Sequence, residues 1–181
     1  MKCLTKQQIF TMQLLDEMEK CNRHSRYSDI VILCVGTDRI IGDSYGPIVG
    51  ALLKEKLKNK AYTVYGSLDM PVTYSNLETT IKSIRDRFIN PCIIIVDAAL
   101  SRIDYVGGIF VKGGKTKLAE GVNKNIRETG NISIRGIVGE NKKEHSKNLE
   151  ALKNGSLSMV IELSQITANG IIQAINNITM A

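Results

Sequence analysis

The chain has 181 residues, of which 43% are apolar and 23% are charged. This composition fits one folded domain and excludes a disordered chain, so we predict a single α/β domain over residues 1–181. No apolar run approaches the roughly 18 residues that a membrane span requires. The N-terminal segment mixes charged with apolar residues, unlike a secretory signal. The sequence therefore predicts a cytoplasmic protein without membrane contact.

The formal net charge of +6 raises the question of nucleic-acid binding. The lysines are dispersed, and the densest stretch, residues 54–60, is interrupted by Glu55, which is typical of the solvent face of a helix. The chain has no Trp and no basic motif rich in aromatic residues that would stack on bases. We predict no nucleic-acid partner, whereas a basic surface favours an acidic protein partner.

The four cysteines predict reduced thiols. None of Cys3, Cys21, Cys34 and Cys92 forms a C-x-x-C pair, so neither a zinc site nor a redox dithiol is indicated. Cys34 and Cys92 lie inside apolar runs, where a thiol usually behaves as a small buried hydrophobic group.

The first half of the chain alternates helical and strand patterns. Apolar residues recur at helical spacing from about 6 to 21 and predict an amphipathic helix. Residues 29–35 are almost unbroken in apolar character and rich in β-branched side chains, which is typical of a strand buried on both faces of a parallel sheet. A loop over 36–42 leads into a helix over 44–59. A second strand is predicted over 61–65.

The next segments continue this order and then change it. A helix over 74–90 and a fully buried strand over 91–96, ending at Asp97, complete a β-α-β-α-β order with crossovers long enough for a parallel sheet. Residues 108–111 and 116–118 flank Lys-Gly-Gly-Lys, which predicts a β-hairpin with a glycine turn.

The last third of the chain predicts one strand and two helices. The strand covers 132–138, a short polar helix covers 144–153, and a long closing helix begins near Leu157 and is weakened at Gly170. The predicted fold class is therefore α/β, with a mostly parallel central sheet and a β-hairpin insertion.

Two aspartates follow the two buried strands of this predicted sheet. Ligands of open α/β sheets collect outside the carboxyl ends of the strands, and Asp43 and Asp97 are both predicted there. Asp43 alone fits a helix N-cap, where a carboxylate satisfies free N–H groups. Asp97 at the end of a buried strand must be hydrogen-bonded or exposed. As a pair, they favour a common catalytic cleft, with a helix N-terminus keeping Asp43 charged as the base and burial keeping Asp97 neutral as the acid.

Polar side chains in the loop before Asp43 are candidates for substrate contacts. Asp38 and Arg39 would orient the carboxylates or hold substrate, and Thr37 and Ser44 would supply hydroxyl contacts. These four residues are predicted to bind substrate.

The run Cys-Val-Gly-Thr-Asp-Arg-Ile-Ile-Gly-Asp-Ser-Tyr-Gly-Pro-Ile-Val-Gly over 34–50 resembles the signature of the sporulation protein YyaC family. Val-Asp-Ala-Ala-Leu over 96–100, Gly107-Gly108 and the segment 131–138 follow in the order of that family, so the similarity covers nearly all of 29–138. The family is in turn similar to the spore germination protease and, more distantly, to hydrogenase maturation endopeptidases. The resemblance implies a three-layer α/β/α, phosphorylase-like fold.

The same resemblance implies an activity. Germination proteases are thought to use two aspartates, in segments that match those of Asp43 and Asp97 here. The implied function is an aspartate-dependent peptidase that cleaves a spore protein in the cytoplasm of a spore-forming bacterium, in the forespore. Gly107 and Gly108 are added as substrate-binding positions, and no cofactor is implied.

A serine hydrolase is a weaker alternative. Residues 42–46 match G-x-S-x-G, and Ser44, Asp97 and His145 occur in the order of an α/β-hydrolase triad. A nucleophile elbow places its serine directly after a strand, however, and here the loop over 36–42 intervenes.

Two further alternatives use the same aspartates. Asp43 and Asp97 offer oxygen ligands to a hard cation, but two carboxylates are a thin shell, so we predict no metal. An acidic cleft at the sheet end would also bind a cationic peptide segment without cutting it, and sequence alone does not separate binding from catalysis.

Overall fold

One sheet of five strands forms the middle layer of the protein. The computed structural model describes residues 3–25, 27–56, 62–116 and 129–179. The strands are β1 (Asp29–Cys34), β2 (Tyr62–Tyr65), β3 (Pro91–Ser101), β4 (Ile109–Gly113) and β5 (Ile132–Glu140). Their order in the sheet is β2-β1-β3-β5-β4. All neighbouring strands are parallel except β4 and β5, which are antiparallel, so the predicted mostly parallel sheet is confirmed.

Helices cover both faces of the sheet. They are α1 (Lys6–Ser25), α2 (Tyr45–Lys56), α3 (Leu77–Arg87), α4 (His145–Lys153) and α5 (Leu157–Thr179). One-turn 3₁₀ helices cover Gly42–Ser44 and Ile103–Tyr105. None of the helices within the described ranges is long and apolar enough to cross a membrane.

The strand residues alternate between two apolar clusters, as the pleat of a sheet requires. Ile32, Ile94 and Ile134 pack with α1, α2 and α5 on one face. Ile93 and Ile95 pack with α3 on the other. The predicted α/β/α arrangement of three layers is therefore confirmed.

Strand β3 is longer than predicted. Its pairing with β1 ends where Cys34 faces Val96, and beyond that point the Val35 N–H donates to the Val96 carbonyl at 2.8 Å. The strand then continues as a partner of β5 through Ser101. Asp97 therefore lies inside β3, at the point where β1 ends, and not at the end of its own strand. The prediction was wrong because the apolar residues of β3 end where its neighbour β1 ends. The backbone of β3 nevertheless continues to pair with β5 beyond that point.

Strand β4 also differs from the prediction. Lys112 and Gly113, which were predicted to form the hairpin turn, belong to the strand. The partner of β4 is β5. Thr116 pairs with Thr129, and residues 117 and 118 of the predicted second arm lie outside the described residues.

Two predicted helices have different details in the structure. Helix α2 ends at Lys56, and the rest of its predicted range, 57–59, lies outside the described residues. Helix α5 passes through Gly170 without interruption. A Cβ on Gly170 would lie 2.4 Å from Cδ1 of Phe10, so this glycine lets α1 and α5 pack closely.

Candidate functional site

Asp43 lies in the 3₁₀ turn that leads into α2. Its Oδ2 accepts a hydrogen bond from the Thr37 backbone N–H at 3.0 Å, and its carbonyl oxygen lies 3.2 Å from the same nitrogen. The N-cap of the turn is Ile41, without a side-chain hydrogen bond. Asp43 is therefore not the N-cap of this turn. Its carboxylate instead reaches back over the carboxyl end of β1.

Two glycines allow this close approach between the turn and β1. A Cβ on Gly46 would lie 2.1 Å from the Val35 carbonyl oxygen. A Cβ on Gly36, whose φ is +140°, would lie 2.0 Å from the carbonyl oxygen of Asp43. Both obstructing atoms belong to the backbone and cannot rotate away. The glycines therefore seat the start of α2 directly on the end of β1.

Asp97 lies beside the same end of β1. Val96 and Ala98 pack in the cluster with α1, α2 and α5, so strand alternation directs Asp97 to the face covered by α3. Its side chain is half-buried, and its register partner on β5 is Arg135. Asp97 directly follows Val96, whose carbonyl accepts the hydrogen bond from the Val35 N–H. Thr37, whose N–H donates to Asp43, lies two residues beyond Val35. The structure thus brings both aspartates to one end of the sheet, where β1 no longer separates its two faces.

The electrostatics of Asp43 are opposite to the expectation from a helix N-terminus. Burial raises the pKa of the Asp43 carboxyl, and the hydrogen bond from the Thr37 N–H opposes this only in part. The expectation that the site favours the charged form of Asp43 is therefore wrong. Desolvation outweighs the donated hydrogen bond, and Asp43 favours the protonated form more than an exposed aspartate does.

The other predicted loop residues surround Asp43 in different ways. Asp38 and Arg39 are exposed. Thr37 is half-buried, and its hydroxyl oxygen accepts a hydrogen bond from the Arg39 backbone N–H at 3.3 Å. Asp38 and Arg39 are therefore open to a ligand beside Asp43, whereas the Thr37 N–H is already occupied. Their binding of substrate stays a prediction.

The structure gives Ser44 a different environment from that of a nucleophile. Ser44 is 5% exposed, and its hydroxyl donates to the Ile41 carbonyl at 2.6 Å. His145 is exposed at the start of α4. A buried hydroxyl bound to the backbone does not fit a serine hydrolase, and it also removes Ser44 from the surface available to substrate.

Gly107 and Gly108 lie in the connection to β4, on the far side of β5 from Asp97. The Gly107 N–H donates to the Ile137 carbonyl at 2.8 Å, and its carbonyl accepts from Nζ of Lys6 at 3.0 Å. With a φ of +81°, Gly107 has a conformation that other residues rarely adopt. The structure does not bring these glycines to Asp43, and their contact with substrate stays a prediction.

Sequence reasoning missed two residues next to the aspartates. Tyr45 is fully buried, two positions after Asp43, and its hydroxyl lies 2.7 Å from Oγ1 of Thr167. Arg135 faces Asp97 in the register and donates to Oγ1 of Thr116 at 3.1 Å. The apolar pattern of a helix start hides Tyr45, and only the strand register reveals Arg135.

A cavity of about 280 Å³ lies at the opposite end of the sheet, between α1 and the residues before β5. Its lining includes the ion pair between Glu17 and Lys20 and the Cys21 thiol, which donates to the Asn131 carbonyl. Asp43 and Asp97 lie at the other end, where β1 stops. We therefore place the candidate chemistry there and not in this cavity.

The described residues offer no group of side chains suited to a metal ion. Over residues 3–25, 27–56, 62–116 and 129–179, no three His, Cys, Asp or Glu side chains are grouped in a way that could hold a metal ion.

The sequence family is settled by two comparisons. A family model described as "Protein of unknown function (DUF1256)" matches residues 3–170. The chain belongs to this family. It is also 38% identical to the uncharacterized protein YyaC of Bacillus subtilis (strain 168). The aligned region of 144 residues covers 78% of this chain and 67% of YyaC. The resemblance to the YyaC family that the motifs indicated is therefore confirmed.

Solved structures show where else this fold occurs. The [NiFe] hydrogenase maturation protease HycI from Thermococcus kodakarensis KOD1 is similar with a TM-score of 0.56 and 17% identity, over 88% of this chain and 98% of HycI. The [NiFe] hydrogenase maturation protease HybD from Thermococcus kodakarensis is less similar, with a TM-score of 0.42 and 18% identity, over 78% of this chain and 97% of HybD. The DUF1256 chain thus shares the α/β fold of HycI.

Proposed function

We propose that this DUF1256 protein is a peptidase that hydrolyses a peptide bond with Asp43 and Asp97. The observation that supports the proposal is the shared position of the two aspartates beside the Val35–Val96 hydrogen bond. The shared fold with HycI is compatible with a peptidase but, at 17% identity, says nothing of this chain's activity. The proposed substrate is a protein or peptide, and by the family resemblance a spore protein in the bacterial cytoplasm.

The environment of the Asp43 carboxyl group suggests how the two roles divide. Burial raises the pKa of Asp43, which suits the acid that hydrogen-bonds the substrate carbonyl and gives its proton to the leaving amine. Asp97 is then the base that takes a proton from the attacking water. The water oxygen bonds to the carbonyl carbon, the C–N bond breaks, and one product carries the new carboxyl group while the other carries the amine. This assignment reverses the roles expected from the sequence.

The loop before Asp43 supplies the contacts to substrate in this proposal. Asp38 and Arg39 are exposed beside Asp43 and carry opposite charges, so they would bind polar side chains or the backbone of an extended segment. Substrate would lie along the end of β1, between this loop and the continuation of β3.

The test compares isosteric variants for cleavage. An extract of spore proteins is incubated with the wild type, Asp43→Asn, Asp97→Asn or Ser44→Ala, and new protein N-termini are identified by mass spectrometry. We expect the wild type and Ser44→Ala to produce the same new N-termini, and neither Asn variant to produce them. All four proteins should stay folded with a cooperative thermal transition, because none of the changes removes apolar packing.

Three results would count against the proposal. Cleavage by either Asn variant would exclude the two-aspartate mechanism, and loss of cleavage in Ser44→Ala alone would restore the serine alternative. A wild type that binds peptides but produces no new N-terminus would favour the non-catalytic role. The partial burial of Asp43 and its hydrogen bond to Thr37 are the observations compatible with that second function.

A further inference from the structure

We propose that Tyr45 is a positioning residue of this site, which anchors the turn carrying Asp43 to β5 and α5. The inference rests on the proposed function of Asp43, but the anchoring itself is measurable without any activity. Tyr45 is the first residue of α2, and its backbone N–H donates to the Gly42 carbonyl, which closes the turn around Asp43. Only Ser44 separates Tyr45 from Asp43, so a displacement of Tyr45 also moves Asp43.

The ring of Tyr45 is held against the backbone of β5. A Cβ on Gly136 would lie 2.6 Å from Cζ and 2.8 Å from both Cε1 and Cε2 of the ring. The ring therefore lies over this glycine at a distance that no side chain at position 136 would allow. Gly136 follows Arg135, the register partner of Asp97, so Tyr45 fixes the turn relative to the strand pair that carries Asp97.

Two buried polar contacts bind the same residue to α5. The Tyr45 hydroxyl and Oγ1 of Thr167 are 2.7 Å apart, and Oγ of Ser164 shares its one proton between the Val160 carbonyl at 2.7 Å and the Tyr45 carbonyl at 3.3 Å. Tyr45, Ser164 and Thr167 have no exposed surface. A buried polar group that loses its partner is not rescued by water, so these contacts restrict Tyr45 to one position.

Tyr45 itself is unsuited to proton transfer. Burial is the main cause that raises its pKa well above the usual range, and the negative charge of nearby Asp97 acts in the same direction. The phenol therefore stays neutral, and its role is mechanical: it holds the carboxyl group of Asp43 in place.

The test measures hydrogen exchange at the Thr37 amide, whose N–H is bound by Asp43. The isosteric Tyr45→Phe keeps the ring and removes the hydroxyl contact, and Tyr45→Leu also removes the ring contact with Gly136. We expect the protection of the Thr37 amide to fall about tenfold in Tyr45→Phe, the value of one lost hydrogen bond, and further in Tyr45→Leu. Thr167→Val removes the same contact from α5 and should reproduce the effect of Tyr45→Phe.

A matched control separates positioning from general loss of stability. Ile84→Val shortens a buried side chain in the α3 cluster, on the other face of the sheet. It should lower protection across the protein without a selective effect at Thr37. If Tyr45→Phe and Tyr45→Leu reduce Thr37 protection no more than Ile84→Val does, Tyr45 does not position the turn.

Cleavage measurements distinguish this inference from the proposed function. We expect Tyr45→Phe to lower kcat about tenfold with an unchanged KM, since misplacement of a catalytic group affects the chemical step. If the wild type cleaves nothing while Thr37 protection still follows Tyr45, hydrolysis fails and the anchoring stands. If cleavage depends on Asp43 while neither kcat nor Thr37 protection responds to Tyr45, the positioning role alone is wrong.

Discussion

The contact between α2 and the loop after β2 can be tested with one methyl group. Gly50 lies inside α2, and a Cβ there would be 1.9 Å from the Gly66 carbonyl oxygen. An ordinary carbon–oxygen contact is about 3.3 Å, so Gly50→Ala forces a separation of about 1.4 Å. Gly66 has little freedom to retreat, because a Cβ on it would lie 1.9 Å from the Cys34 carbonyl oxygen.

The expected free-energy change follows from two opposing terms. Overpacking of a core costs about 1–3 kcal/mol, and we take the upper end because the obstructing atom belongs to the backbone. Alanine is more favourable than glycine inside a helix by about 1 kcal/mol, which offsets part of this cost. Gly50→Ala should therefore destabilise the fold by about 2 kcal/mol. For a protein of this length, the melting temperature should fall by about 4–8 °C.

The assay is urea unfolding followed by circular dichroism, together with a thermal scan. Gly155→Ala is the matched control, because the nearest atoms to its Cβ would be 3.6 Å away, an ordinary contact. We expect the control to change the free energy of unfolding by less than about 0.5 kcal/mol. A Gly50→Ala protein as stable as the wild type would show that α2 does not pack against Gly66 at this distance.

Two further predictions concern ionisation. Because burial raises the folded-state pKa of Asp43 above the unfolded value, its stabilising contribution is lost as the pH rises through that folded-state pKa. In urea titrations, Asp43→Asn should therefore gain stability relative to the wild type as the pH rises from about 4 to 8. The exposed Asp38→Asn is the control, and an identical pH dependence of the two variants would contradict the burial of Asp43. Burial also raises the pKa values of Cys34 and Cys92 to about 12, so an aromatic disulfide reagent should label exposed Cys3 in the native protein and label Cys34 and Cys92 only after unfolding. Labelling of Cys34 or Cys92 in the native protein, identified by mass spectrometry, would show that these positions open to solvent.

The parts of the fold that the sequence predicted are those with local causes. The apolar runs of β1 and the first half of β3 follow directly from burial on both faces, and their parallel pairing follows from the helices between them. The end of β3 was not predictable in this way, because residues 97–101 are paired by β5 and no longer buried by β1. The partner of β4 was missed for the same reason: pairing between distant segments leaves no periodic signal in either one.

The candidate site divides along similar lines. The position of Asp43 and Asp97 at one end of the sheet was predicted from the strands themselves and from family motifs, although Asp97 lies inside β3 and not at its end. The role of Asp43 was not, since its protonation depends on burial and on a hydrogen bond that only the folded loop supplies. Tyr45 was missed because its ring contact, Gly136, and its hydroxyl partner, Thr167, lie far away in the chain.

The unequal covering of the sheet has a consequence for how the protein opens. Among the described residues, α5 contributes six buried apolar side chains to its cluster, whereas α3 contributes three to the cluster on the other face, so less apolar area holds α3 in place. Segments held by less buried area separate from the fold at lower free energy than the global transition. We therefore expect α3 to detach before α5 does, and transient solvent entry to reach the sheet first from the side that carries Asp97.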